Sequence, residues 1–172
     1  VPELSLARVL QKQGYRTSGR VSMPVLWDKK RRTIVNNESS EIIRMLNSAF
    51  DGVGANDLDF FPQDLRAEID AINERVYHAV NNGVYRTGFA RSQEAYDEAA
   101  ARSFGALDTL EATLEDSTYL VGDAITESDW RLFTTAIRFD PVYYVHFKCS
   151  RNQYRDFPNL SRHLQALRTQ QV

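Results

Sequence analysis

The sequence predicts an α+β protein: a small piece of sheet, then an all-helical remainder. Three observations point there. Two short runs rich in branched and aromatic residues, 21–27 and 33–35, flank a polar turn. From Ile42 onward, apolar residues recur at helical rather than strand spacing. Between the two regimes, residues 51–62 hold two glycines, Asn56, Asp57 and Pro62, a composition that reads as a linker. The division is therefore 1–50 for the sheet-bearing part, 51–62 for the linker and 63–172 for the helical part.

Taken in order, residues 1–20 are mixed; Leu4, Ala7, Leu10 and Gln11 fit a short helix that Gly14 ends. The two strands come next, joined by Asp28-Lys29-Lys30-Arg31-Arg32. That basic run reads as a solvated hairpin turn, although such runs also serve as nuclear addresses or phosphate patches. Residues 38–50 are amphipathic, with Ile42, Ile43, Leu46 and Phe50 on one face. Three longer stripes come after the linker: Leu65, Ile69, Ile72, Val76 and Val80; then Tyr96, Ala100, Phe104, Leu107 and Leu114; then Trp130, Phe133 and Ile137. A last helix is expected over 158–168. Thr126-Glu127-Ser128-Asp129 reads as a capping box opening the third stripe, with Asp in place of Glu and Ile125 as the hydrophobic staple.

Two strands alone are marginal in water. The first is apolar on both faces, as a strand inside a larger sheet would be. The hairpin is thus expected to pair with strands outside this sequence, and the chain to be a piece of a longer protein.

Composition narrows the function classes. The chain has 172 residues, 21 Lys and Arg against 23 Asp and Glu, and a net charge of −2. That balance lacks the basic face of a nucleic-acid binder. No apolar run approaches the roughly 20 residues of a membrane span. Residues 1–10 carry Glu3 and Arg8 and do not read as a signal peptide. The single cysteine, Cys149, forms no internal disulfide and fits a reducing compartment such as the cytoplasm. Cys149 itself reads as a small buried hydrophobe. His78, His146 and His163 share no metal-ligand spacing, so no metal is expected. Tyr77, Tyr143 and Tyr144 read as core or pocket-wall aromatics.

Two positions leave alternatives open. Pro24 is either an ordinary edge-strand proline or the second residue of a cis peptide. In the second case Met23 turns its backbone N–H and C=O toward a ligand, and an extended peptide could use both. Glu38 and Ser39 open a helix. They either cap it or, with the unpaired N–H groups and positive dipole end, hold a ligand bearing a carboxylate and an ammonium.

Together these segments are more specific. Arg20-Val21-Ser22-Met23-Pro24-Val25-Leu26-Trp27-Asp28, then Ile34-Val35-Asn36-Asn37-Glu38-Ser39-Ser40-Glu41-Ile42-Ile43, resemble the xi class of glutathione transferases, the glutathionyl-hydroquinone reductases. The resemblance continues through Asn73-Glu74-Arg75-Val76-Tyr77, Val80-Asn81-Asn82-Gly83-Val84-Tyr85, Arg138-Phe139-Asp140 and His146-Phe147-Lys148-Cys149. It implies a thioredoxin-like domain, here partial, followed by the all-α C-terminal domain of these enzymes. It also implies glutathione as co-substrate, a glutathionylated aromatic substrate and a homodimer. Arg20, Met23, Pro24, Glu38 and Ser39 fall where the family binds glutathione. Tyr85 falls where the family has a tyrosine that gives and accepts a proton at the aromatic ring. Tyr143 falls where a tyrosine stabilises the thiolate. The family nucleophile, in a Cys-Pro-Trp-Ala motif, attacks the sulfur of a glutathionyl-hydroquinone, and a second glutathione resolves the mixed disulfide.

The chain departs from that pattern in one decisive respect. No Cys-Pro pair occurs in it, and Cys149 does not occupy the nucleophile's position. The family's C-terminal tyrosine segment also falls beyond Val172. These residues by themselves are therefore expected to be inactive. The rival readings are a non-catalytic module that keeps the fold, and a conventional transferase that only activates glutathione.

Overall fold

The computed structural model describes residues 23–54 and 58–170. Arg20, the helix expected near Leu4 and the first two residues of the expected strand lie outside them. The chain divides into two compact units that meet between Leu58 and Asp59.

In the first unit, β1 (Leu26–Asp28) pairs antiparallel with β2 (Thr33–Asn36), Trp27 facing Ile34 and Asp28 facing Thr33. The register shifts between Leu26 and Trp27. The first strand is shorter than its apolar run: Met23, Pro24 and Val25 are not part of the ladder. The turn is organised by its acid rather than by its bases. Asp28 Oδ1 accepts the N–H groups of Lys30 and Arg31, each at 2.8 Å, and Arg32 takes the left-handed conformation at φ 56°. The cationic side chains stay exposed. Helix α1 (Ser39–Ser48) comes next, with Glu38 at its N-cap position. Asn36 Oδ1 accepts the N–H of Glu38 at 2.7 Å, an Asx turn that leads strand into helix. No residue of α1 is buried.

The second unit is all helix. Its helices are α2 (Arg66–Arg75), α3 (Gly83–Gly88), α4 (Gln93–Thr113), α5 (Glu127–Arg138) and α6 (Pro158–Arg168). The stripe from Leu65 to Val80 is not one regular helix. A π-helical stretch, Val76–Asn81, separates α2 from α3, and a second one, Phe139–Tyr144, extends α5. Ile69, Val76, Val80, Val84, Phe104, Leu107, Leu110, Leu114, Leu132, Phe139 and Leu160 form the core. Each such side chain contributes about 1.5–3 kcal/mol when fully buried.

The third stripe faces differently from its expectation. Ile137 is exposed, and Trp130 and Phe133 are not the residues that turn inward. The inward face of α5 is Ser128, Leu132, Thr135 and Ala136. Its polar members find partners that periodicity cannot announce: Thr135 Oγ1 accepts from Asn81 Nδ2 at 2.6 Å, and Ser128 Oγ donates to the carbonyl of Ile69 at 3.4 Å. The start of α5 is tied by Asp129. Its carboxylate accepts the N–H of Thr126 at 2.8 Å, the Thr126 hydroxyl at 3.0 Å and the N–H of Leu120 at 2.9 Å, and lies 2.8 Å from His163 Nε2. Among the described residues no helix is long and apolar enough to cross a membrane.

Candidate functional site

The residues singled out in the first unit flank the hairpin. The Met23–Pro24 peptide is cis, the second of the two readings open for Pro24. Met23 is 82% exposed, and its backbone precedes the ladder instead of joining it. Pro24 is exposed as well. Glu38 and Ser39 sit at the exposed N-terminal end of α1. The Glu38 side chain makes no cap to the helix backbone; it accepts a long 3.4 Å bond from Ser40 Oγ. The first-turn N–H groups of a helix have no intrahelical acceptor, so this end has donors to offer an anion. Arg20 lies outside the described residues.

In the second unit, Tyr85 and Tyr143 come together although 58 positions separate them; their hydroxyl oxygens lie 3.1 Å apart. Tyr85 stands on α3. Tyr143 comes from the π stretch that continues α5. The rings meet edge to face, centroids 5.6 Å apart at 77°. Phe147 closes on both, 5.2 Å from Tyr85 and 5.4 Å from Tyr143, and Phe89 lies 6.3 Å from Tyr85, nearly parallel to it. Gly88 makes this closure possible, because a Cβ there would stand 2.3 Å from Cδ1 of Phe147. The two tyrosines differ in access: Tyr143 is 2% exposed and Tyr85 41%.

Sequence reasoning names both tyrosines and misses three neighbours. Phe89 and Phe147 wall the pair. Arg138, at the end of α5, acts on the Tyr143 phenol. Burial pushes the Tyr143 phenol above its usual value and Tyr85 adds to that, while Arg138 opposes it. Arg138 stands one residue before the π stretch, whose course no apolar pattern reveals.

Cys149 is buried, 3.9 Å from the carbonyl of Val84 and 3.7 Å from that of Phe147. Burial pushes its thiol from 9.0 to about 11, with a hydrogen bond to Thr87 opposing. A thiol so placed is a poor nucleophile, since the thiolate is the reactive form. A surface cavity of about 310 Å³ lies at the start of α4, lined by Ala90, Arg91, Ser92, Gln93, Tyr96 and Lys148.

Comparison with known proteins identifies the family. The glutathione S-transferase C-terminal domain family matches residues 93–166. The chain is 58% identical over 145 residues to the glutathionyl-hydroquinone reductase PcpF of Sphingobium chlorophenolicum, covering 84% of this chain and 46% of that protein. It is 57% identical over 143 residues to the glutathionyl-hydroquinone reductase YqjG of Escherichia coli, covering 83% and 44%. The glutathione-bound structure of YqjG superposes with a TM-score of 0.89 at 52% identity, over 94% of this chain and 52% of that one. Glutathione transferase Xi 1 of Trametes versicolor gives 0.85 at 53%, over 88% and 53%. The chain belongs to the xi-class glutathione transferase family. This xi-class chain spans about half the length of the curated relatives it matches. Its fold is the family's: part of a thioredoxin-like domain and the helical C-terminal domain.

Proposed function

We propose that the protein reduces glutathionyl-hydroquinones to hydroquinones with glutathione as co-substrate. The hydroxyl pair of Tyr85 and Tyr143 at the edge of an aromatic cluster carries the reading, supported by the identity to two reductases. In the proposed reaction a cysteine thiolate attacks the glutathionyl sulfur and the carbon–sulfur bond breaks. The ring carbon takes a proton, giving the hydroquinone, and a cysteine–glutathione mixed disulfide remains. A second glutathione thiolate displaces the cysteine, giving glutathione disulfide. That cysteine is not among these residues, and the buried Cys149 does not stand in for it.

The other roles divide between the units. Met23 and Pro24 present the cis backbone to the glutathione peptide, Glu38 and Ser39 receive its γ-glutamyl end, and Arg20 adds a cation to the same ligand. Tyr85 gives and accepts the proton at the ring oxygen, work that suits a phenol. Tyr143 stabilises the thiolate through its hydroxyl. The working unit is a cytoplasmic homodimer, and residues 51–62 link 1–50 to 63–172.

The test is turnover of a glutathionyl-hydroquinone with added glutathione, read as hydroquinone and glutathione disulfide in equal amounts. Loss of that turnover on alkylation is expected in protein that carries the Cys-Pro motif; residues 1–172 by themselves are expected to give none. Equal turnover after alkylation contradicts the proposal.

A further inference from the structure

Each tyrosine of the pair reaches the other by way of a π-helical stretch. Val76–Asn81 leads into α3 and Tyr85, and Phe139–Tyr144 contains Tyr143. In the first stretch the N–H of Asn82 bonds the carbonyl of Tyr77, 2.9 Å away and one residue further back than an α turn reaches. At 3.6 residues per α turn, one extra residue rotates the helix after it by about 100°. Tyr85 faces Tyr143 only while the stretch keeps that residue. Ties to α5 bracket it. Ahead of the stretch, Asn73 Nδ2 donates to Glu127 at 2.9 Å and Ser128 Oγ to the carbonyl of Ile69 at 3.4 Å. At its end, Asn81 Nδ2 donates to the carbonyl of Arg131 at 3.1 Å and to Thr135 Oγ1 at 2.6 Å. A side-chain amide has two N–H protons, and both are spent on α5. Thr135 is 3% exposed, so water does not take the place of its partner. Asn81 stands one helical turn before Tyr85, and Thr135 one turn before the second π stretch. Gly83, where a Cβ would stand 2.3 Å from Ser103 Oγ, sets how closely α3 lies on α4. It has no side chain to fix the rotation of α3.

We propose that Asn81 and Thr135 are positioning residues for the tyrosine pair. Their hydrogen bond traps the extra residue of the first π stretch and holds α3 at the rotation that brings the Tyr85 hydroxyl to Tyr143. Without the tie, the stretch relaxes toward the commoner α pattern and turns Tyr85 away, while the apolar core beneath stays packed. A misplacement of about 1 Å is enough to slow a reaction severely. This rests on the reading above for the reaction, and deepens it by naming side chains outside the pair that set its geometry. Asn81 and Thr135 act through Tyr85, so their effect on the rate depends on its hydroxyl.

Steady-state turnover in the full-length protein that carries the Cys-Pro motif tests it, with Asn81→Leu, Thr135→Val and each of these combined with Tyr85→Phe. Each single variant is expected to lower kcat about tenfold. Thr135→Ser, which keeps the hydroxyl, is expected to retain the parent rate. In the Tyr85→Phe background the same substitutions are expected to change kcat by less than about twofold, while lowering the melting temperature in both backgrounds alike. A merely structural tie would lower kcat by the same factor in both backgrounds. That equal loss, or an unaltered kcat in both folded single variants, overturns the proposal. Thr135→Val, which removes one acceptor only, decides should Asn81→Leu not fold. Crystal structures of the variants give a reading that needs no turnover. The two tyrosine hydroxyl oxygens, 3.1 Å apart here, are expected to separate beyond about 3.5 Å. An unchanged separation overturns the positioning role. Separated hydroxyls in variants of a protein without reductase turnover overturn the reductase reading alone.

Discussion

The two units of this chain hold their candidate functional groups in opposite ways. In the first, Met23, Pro24, Glu38 and Ser39 are all exposed, and α1 buries nothing. Its offers to a ligand are backbone groups and a helix end. In the second, Tyr85 projects from an aromatic cluster whose base is the apolar core, with Tyr143 buried behind it. Packing fixes the angle of a ring there, and a buried neighbour bonds its hydroxyl. A ligand half recognised by backbone needs little side-chain core beneath it. A ring that must place one hydroxyl needs a rigid seat.

The largest expected effect sharpens this contrast. Tyr85→Phe keeps the ring and deletes the hydroxyl; in protein that carries the Cys-Pro motif, turnover is expected to fall by about 10²–10⁴, the range for a proton donor, with a loss of about 1 kcal/mol in stability because the buried Tyr143 hydroxyl loses its partner. Steady-state rates with a glutathionyl-hydroquinone check it. The second prediction compares the units directly. Leu107→Ala, fully buried in α4, is expected to cost about 2–5 kcal/mol. Leu46→Ala, exposed in α1, is expected to cost at most about 0.5 kcal/mol. Denaturant unfolding of both variants measures the difference, and similar costs would break the comparison.

How legible is this in the residues? The hairpin and the last helix are, because runs of branched and aromatic residues, a turn rich in polar residues and a proline at the first position of α6 are local signals. The two π stretches are not, since an extra residue in a turn leaves the apolar spacing nearly intact while rotating the rest of the helix. Trp130 and Phe133 mislead for a related reason: on α5 the small and polar side chains Ser128, Thr135 and Ala136 face inward, where partners from other elements satisfy them. The tyrosine pair is a long-range contact that no spacing announces, and only the resemblance to the family names its members.

A third prediction concerns pH. The Cys149 thiol titrates near 11 in the folded chain against an ordinary 9.0. Between those values the unfolded state has lost the proton that the folded state keeps. The stability from burying the neutral thiol is therefore whole below 9.0 and is lost as pH rises toward 11. The loss is about 2–3 kcal/mol. Unfolding of Cys149→Ala over the same range is expected to show a flatter dependence, and equal slopes would contradict the burial of that thiol. A small effect is expected at the surface of the helical unit. Arg151 bonds Asp108 through both nitrogens, at 2.8 and 2.5 Å, and lies 4.5 Å from the Phe104 ring. Arg151→Lys keeps the charge and loses the fork, and is expected to cost about 0.5–1 kcal/mol in a thermal melt.

The division of labour between the units is tested most directly by the glutathione dissociation constant, measured by calorimetry on the unsubstituted protein, Ser39→Ala and Tyr85→Phe. Ser39→Ala is expected to weaken glutathione about tenfold, the size of a hydrogen bond to a charged group, while Tyr85→Phe leaves it unchanged. Weakening by Tyr85→Phe with no effect of Ser39→Ala would contradict the account and place the peptide on the helical unit.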